Sequence, residues 1–276
     1  MTFLTRVRGY LRLLMDIACL PSPLRDRFRL LLWAGRHTFS NRGISRRPAA
    51  LRVTVSVGGK KAQIELGSHN DLGVLLEVFA QKVYDAPQFP ASASTIVDLG
   101  ANIGMAAVWF ALRYPQATIH AFEPNPQTFA RLRRHAAQFE GRIVPHSLGL
   151  GEKEGETLLY VDEAHPGASL QKRRESQAGI SVRVAPLENL FALAAPNGEL
   201  IDIVKFDIEG AEAILFSSPL EVLRRARSYI GEIHEDLLQP PLTKQRIIET
   251  LERASFRVFY TRMGGKRAIL VATQES

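Results

Sequence analysis

The stretch Thr95 to Met105, TIVDLGANIGM, constrains this chain more than any other. Thr95, Ile96 and Val97 are β-branched residues of a buried strand, whereas Met105 to Leu112 (MAAVWFAL) is a helix-forming block that stops before Pro115. Between them lie an acidic residue, Asp98, and a loop holding Gly100, Ala101, Asn102 and Gly104. Glycine lets backbone approach a ligand, and the free amides of a helix N-terminus favour a negative group. With Asp98 at the strand's carboxyl end, the loop suits a ligand carrying both an ammonium and a carboxylate.

From Ala91 onward strands and helices alternate. Strands are expected at Ile96 to Leu99, Thr118 to Phe122, Ile143 to Leu148, Ile201 to Phe206 and Ser228 to Ile233, most of them near-continuously apolar, as strands buried on both faces are. Helices are expected at Ile103 to Arg113, Pro126 to Phe139, Ala211 to Phe216, Pro219 to Arg225 and Thr243 to Ala254. The pattern is that of an α/β protein with a doubly wound parallel sheet. At the end, Phe256 to Tyr260 and Ala268 to Thr273 flank Met263 to Lys266 too closely for a parallel crossover, so they form an antiparallel hairpin. A mostly parallel, seven-stranded sheet closed by such a hairpin resembles the Rossmann-like class I S-adenosylmethionine-dependent methyltransferases and differs from a dehydrogenase.

At 276 residues, 46% of them hydrophobic, the chain has room for one such domain plus an appendage. Its only cysteine, Cys19, permits no internal disulfide and suits a reducing compartment. No apolar run is long enough to span a bilayer, and the N-terminal run, broken by Arg12 and Asp16, does not read as a signal peptide. A cytoplasmic protein is therefore expected.

The net charge of +7 is concentrated at one end. Residues 1–50 hold ten arginines against Asp16 and Asp26, a local charge of +8 that leaves the remainder near neutral. Residues 1–48 are expected as a basic arm of two helices, Phe3 to Leu20 and Leu24 to Thr38, separated by Pro21 and Pro23. Val7, Leu11, Leu14 and Ala18 share one face of the first. That stripe either packs on the protein, leaving the arginines solvated, or lies on an anionic membrane or acidic partner. Residues 49–90 follow as a hairpin turning at Gly58 and Gly59 and a helix from Asn70 or Asp71 to Tyr84; residues 91–276 are the main domain.

Three further clusters belong to the carboxyl edge of the sheet. Glu123 lies 19 residues after Gly104, followed by Pro124 and Asn125; there a carboxylate can accept both ribose hydroxyls, or it is a solvated loop acid. Lys205, Asp207 and Glu209 alternate out of an apolar strand, where charges are costly unless paired or used. Either Lys205 pairs with Asp207 or Glu209, or Asp207 acts directly in ligand binding or proton transfer. The next strand delivers His234 to the same edge. Gly155 to Val161 and Ile180 to Val184 form a strand pair joined by a polar lid, Asp162 to Gly179, in which Ser169 either meets ligand or is a loop hydroxyl.

The segments IVDLGANIG, AFEPNP, GLGEKEG, VKFDIEGAE and GEIHE, in this order and spacing, resemble the FkbM family of methyltransferases over about residues 70–240. The resemblance implies S-adenosylmethionine as donor and O-methylation of hydroxyls on saccharides or natural products. It maps the cofactor loop onto Asp98, Gly100, Asn102 and Gly104, the ribose acid onto Glu123, and a methionine-contacting or Mg²⁺-binding aspartate onto Asp207. After the third strand the family's alanine, leucine, serine and aspartate appear as Gly149, Leu150, Gly151 and Glu152, which exchanges the hydroxyl for glycine at the adenine side.

An alcohol attacks a methyl group well only if its proton has somewhere to go. His234 is the first candidate base and Asp207 the second, the alternative being a strand-end histidine satisfied by Glu209 or Glu232. A metal held by Asp207, Glu209 and His234 is conceivable, but no spacing compels one and none is expected. Base methylation of nucleic acid is disfavoured, because the strand carrying Asp207 lacks the Asn/Asp-Pro-Pro-aromatic clamp for a flipped base. Ribose methylation of RNA, or a non-catalytic cofactor-binding scaffold docked by the basic arm, are the alternative functions.

Overall fold

The computed structural model describes residues 3–40, 49–161, 168–169, 178–235, 237–238, 242–264 and 267–274. The chain separates into two compact units, Met1–Val83 and Tyr84–Ser276.

In the first unit, α1 (Phe3–Cys19) and α2 (Leu24–Ser40) precede a hairpin of β1 (Leu51–Val57) and β2 (Lys60–Leu66) and a helix α3 (His69–Leu75). Gly58 and Gly59, both at positive φ, make the expected turn, and Leu51 pairs with Leu66. The arm is fastened to the hairpin: Asp26 of α2 accepts the Thr54 amide at 2.8 Å, and the Trp33 indole donates to the Ala49 carbonyl at 2.8 Å. Ser68, rather than Asn70 or Asp71, caps α3. The Asp71 carboxylate is turned back onto the Gly67 and Ser68 amides, which closes a capping box. The helix expected to reach Tyr84 passes into a π-helical turn at Leu76–Ala80 and stops.

In the second unit a seven-stranded sheet runs in the order β12-β13-β11-β10-β3-β4-β5. Its strands are β3 (Thr95–Leu99), β4 (Thr118–Phe122), β5 (Ile143–His146), β10 (Ile203–Phe206), β11 (Ser228–His234), β12 (Phe256–Gly264) and β13 (Arg267–Gln274). β11, β10, β3, β4 and β5 are parallel, while β13 runs antiparallel to both β11 and β12, as expected of a terminal hairpin. The helices are α4 (Met105–Arg113), α5 (Pro126–Ala136), α6 (Leu187–Ala194), α7 (Glu212–Phe216), α8 (Leu220–Leu223) and α9 (Lys244–Arg253).

β10 starts two residues later than its apolar run, because the Asp202 carboxylate captures the Ser94 and Thr95 amides and leaves Ile201 only an isolated bridge to Ala226. A smaller sheet, β6-β9-β7-β8, adds β6 (Gly149–Leu150) and β8 (Ala168–Ser169) to the expected pair, here β7 (Gly155–Val161) and β9 (Ala178–Ala185). α6 has no counterpart in the sequence reading. It starts directly after Pro186 and buries Leu187, Leu190, Phe191 and Ala194 in the core shared with Val97, Leu99, Phe122, Val204 and Phe206. Most of the lid, 162–167 and 170–177, lies outside the described residues, as does the Ser169 side chain.

Candidate active site

Chain order reverses between β3 and β10: from β3 the chain builds outward through β4 and β5, then returns to place β10 on the other side. In open α/β sheets the crevice at the carboxyl end of such a switch point binds ligands. The strand ends there carry Asp98, Glu123, Asp207 and His234.

The loop between β3 and α4 is held in one conformation from below. Gly100, Asn102 and Gly104 all have positive φ (71°, 51° and 90°). A Cβ on Gly100 would fall on the Asp207 carbonyl oxygen, and one on Gly104 would lie 2.5 Å from Leu132 Cδ1, so glycine is needed at both positions. The Gly100 and Ala101 amides donate to the Phe122 carbonyl at 3.0 and 2.9 Å. Ala101 is buried, whereas the Asn102 side chain is exposed.

Asp98 is fully buried beneath this loop. Its Oδ1 lies 2.8 Å from Lys205 Nζ, and the ammonium also donates to the Gly100 carbonyl at 2.9 Å. Lys205 thus pairs with Asp98, its register partner across β3 and β10, and not with Asp207 or Glu209 as weighed from sequence. Side chains directly opposite on one face of a sheet meet, whereas those two acids lie beyond the strand's end. Burial pushes the Asp98 carboxyl above its ordinary range and the Asp207 charge adds to this, against the pull of Lys205.

Glu123 is buried, not a solvated loop acid. Oε2 accepts the Asn102 amide at 2.8 Å, and Oε1 accepts the Asn125 amide at 2.8 Å and the Thr128 hydroxyl at 2.9 Å. It therefore ties the glycine loop to the start of α5, where Asn125 caps the helix through the Gln127 amide and Pro126 occupies the first turn. Burial raises its pKa despite these bonds. Gly149 and Leu150 are buried in β6, and a Cβ on Gly149 would meet the Pro124 ring at 3.1 to 3.2 Å. A side chain there would require Pro124 and Val184 to give by a few tenths of an ångström.

Across the site, His234 is buried and its Nδ1 lies 2.9 Å from Glu212 Oε1. Nε2 faces Glu209 at 3.9 Å and Glu232 at 4.0 Å. Burial alone would lower the histidine pKa. The bond to Glu212 and the charges of Asp207, Glu212 and Glu209 outweigh it and push the pKa up to about 9. Glu232 is itself 3.0 Å from the Arg267 guanidinium. Asp207, Glu232 and His234 each present a donor atom within 4.8 Å of the others, an oxygen and imidazole set that could accept a divalent cation, with Glu232 where the sequence reading had Glu209.

Glu212 is the residue that sequence reasoning missed. It is fully buried, and its place in the first turn of α7, five residues after Asp207, sets it against His234. Its presence in the VKFDIEGAE segment was the available signal. His120 and His146, left structural from sequence, stack against each other, His146 also stacks on Phe122, and burial with the neighbouring His120 drops His146 to about 4.

A switch-point cleft with a glycine loop on one strand, an acid on the next and the antiparallel terminal hairpin define a class I methyltransferase fold. Residues 98–258 match the methyltransferase FkbM domain, and the chain belongs to that family. Among its relatives, "Methyltransferase 1" of Beauveria bassiana is 34% identical over 159 residues, 49% of this chain and 62% of that protein, so the match leaves more than a third of the relative unspanned. The hexuronic acid methyltransferase AglP of Haloferax volcanii is 28% identical over 53% of this chain and 59% of its own. The 31-O-demethyl-FK506 methyltransferase FkbM of Streptomyces tacrolimicus is 24% identical over 58% and 73%.

Proposed function

We propose that this methyltransferase uses S-adenosylmethionine and transfers its methyl group to a hydroxyl oxygen of a saccharide or other small-molecule acceptor. The observation that carries the reading is the loop at Gly100 to Gly104, whose positive-φ residues, packed against Asp207 and Leu132, fix its backbone at the switch point beside the ribose-type acid Glu123. The donor, when bound, supplies a methyl group on a sulfonium, an electrophile that needs no further activation.

The chain's own residues have separable tasks in this reading. Gly100, Ala101, Asn102 and Gly104 border the methionine moiety, and Asn102 is the loop's exposed polar side chain. Glu123 retains acceptor capacity for ribose hydroxyls while fixing the loop, and Pro124, Asn125, Gly149 and Leu150 wall the adenine side. Asp98 acts from beneath, holding the loop through Lys205. Asp207 faces the reacting end. His234 takes the acceptor's proton on Nε2, because Glu212 holds Nδ1 and fixes the ring. The oxygen acceptor draws support from the relative named 31-O-demethyl-FK506 methyltransferase, and the saccharide from the one named hexuronic acid methyltransferase.

Calorimetry should detect S-adenosylmethionine binding and none for NAD; the reverse result defeats the reading. With labelled donor and glycans bearing free hydroxyls and uronic acids, the product should be a methyl ether, stable to mild alkali. An alkali-labile ester would move the acceptor from hydroxyl to carboxylate.

A further inference from the structure

The described part of the apolar stripe on α1, from Leu11 onward, is exposed. Leu11, Leu14 and Met15 are 55%, 50% and 67% exposed and Ala18 is exposed with them, whereas Ile17, off the stripe, is buried. α2 repeats the arrangement. Leu24, Phe28, Leu31 and Leu32 fall within an arc of about 100° at helical spacing and are all exposed, Phe28 at 62% and Leu32 at 56%. Its opposite side, Asp26, Leu30, Trp33 and Ala34, is buried. Among the described residues, seven of the ten exposed large hydrophobic side chains are on these two helices, so they form surfaces and not scattered exceptions.

Basic groups predominate beside them, although Arg12 lies 3.9 Å from Asp16 and Arg29 3.0 Å from Asp26. On α2 the stripe is flanked by Arg25, Arg29 and Arg36 on one side and Arg27 on the other; on α1 Arg12, 70% exposed at its side chain, borders it. A groove of about 500 Å³ on α2 is lined by Arg29 and Arg36 together with Leu31, Leu32 and Trp33. Beside this apolar wall the Arg36 guanidinium suits a phosphate ester joined to a hydrocarbon chain, while Arg29 is shared with Asp26 at 3.0 Å.

From this geometry we propose that α1 and α2 dock the protein on an anionic phospholipid surface. Leucine, methionine and phenylalanine enter the boundary of the acyl layer, and the arginines reach the phosphates. A second copy of the chain is disfavoured as occupant, because it would bring two segments of like charge, +8 each over residues 1–50, face to face. The docking is superficial: no helix of the described residues is long and apolar enough to cross a membrane.

The test uses the whole chain, sedimented with vesicles of phosphatidylcholine alone or mixed with phosphatidylglycerol. Binding should require phosphatidylglycerol and weaken with salt. Arg25→Ser with Arg36→Ser should lower the partition roughly 30-fold, about fivefold for each arginine removed from the anionic surface. Phe28→Ser with Leu32→Ser should lower it at least about tenfold. All four positions are exposed, and unchanged circular dichroism would show that the fold is retained. The proposal is overturned by a wild-type chain that ignores phosphatidylglycerol, or by variants that bind as well as it does. It is equally overturned by binding to an acidic polypeptide without binding to vesicles, or by self-association that the same substitutions abolish. None of these readouts depends on methyl transfer.

Discussion

At the scale of single residues, the ionisation of His234 governs the proposed chemistry. A histidine whose pKa stands at about 9 holds its proton at neutral pH, so kcat/KM should rise with pH and level off above about 9. Glu212→Gln removes the largest favourable contribution to that pKa, and the rising limb should move to lower pH. A pH profile of both proteins checks this, and an unmoved limb removes His234 from the role of base. The same shift has a stability consequence. With a folded pKa raised above the unfolded value of about 6.5, His234 contributes stability that is fully present below that pH and is lost as pH rises through about 9. Glu123 presents a different case, since each of its oxygens already accepts a hydrogen bond from the loop or α5. Glu123→Ala should weaken S-adenosylmethionine binding by roughly one to two orders of magnitude, since bonds to a charged group contribute about 1.5 to 3 kcal/mol each. It should also lower the unfolding midpoint. Calorimetry and urea titration separate the two effects, and unchanged affinity would leave Glu123 a purely structural residue.

At the scale of elements, β3, β10 and the loop above them behave as one device. Lys205 and Asp98 are both buried, so breaking the pair with Lys205→Met should cost about 3 to 5 kcal/mol by leaving a carboxylate unpaired. The double replacement Lys205→Met with Asp98→Leu should cost less than the single one, and a larger cost would show that the pair contributes more than its own neutralisation. Gly100→Ala should be destabilising by well over 1 kcal/mol, because a Cβ there meets the Asp207 carbonyl and requires positive φ. Strand and helix positions near this device were legible in sequence, since β-branched runs and glycines mark them directly. Three features were not. α6 is short and follows Pro186 in a stretch, 185–200, where no element was expected. Ser68 rather than Asp71 is the cap of α3, and Asp202 shortens β10; in both, a side chain competes for backbone amides, which periodicity does not register.

At the scale of the whole molecule, the two units carry different expectations. A ligand that binds only folded protein stabilises it by about 2.7 kcal/mol at a hundredfold excess over Kd. Scanning calorimetry with S-adenosylmethionine should therefore move the transition of Tyr84–Ser276 upward by several degrees. NAD at equal concentration should leave it in place.

What the amino-acid order determined by itself is the parallel sheet, its antiparallel ending and the glycine loop at its centre, together with the family they mark. These depend on local spacing, which a linear pattern records. Only the tertiary structure decided which charges meet. Lys205 faces Asp98 because β10 lies in register beside β3, Glu212 reaches His234 because α7 folds back against β11, and the stripe on α1 from Leu11 onward stays uncovered because the helix buries Ile17, off the stripe, instead. Each of these contacts joins residues distant in sequence or selects one helix face over another, and the selection is made by what packs against it.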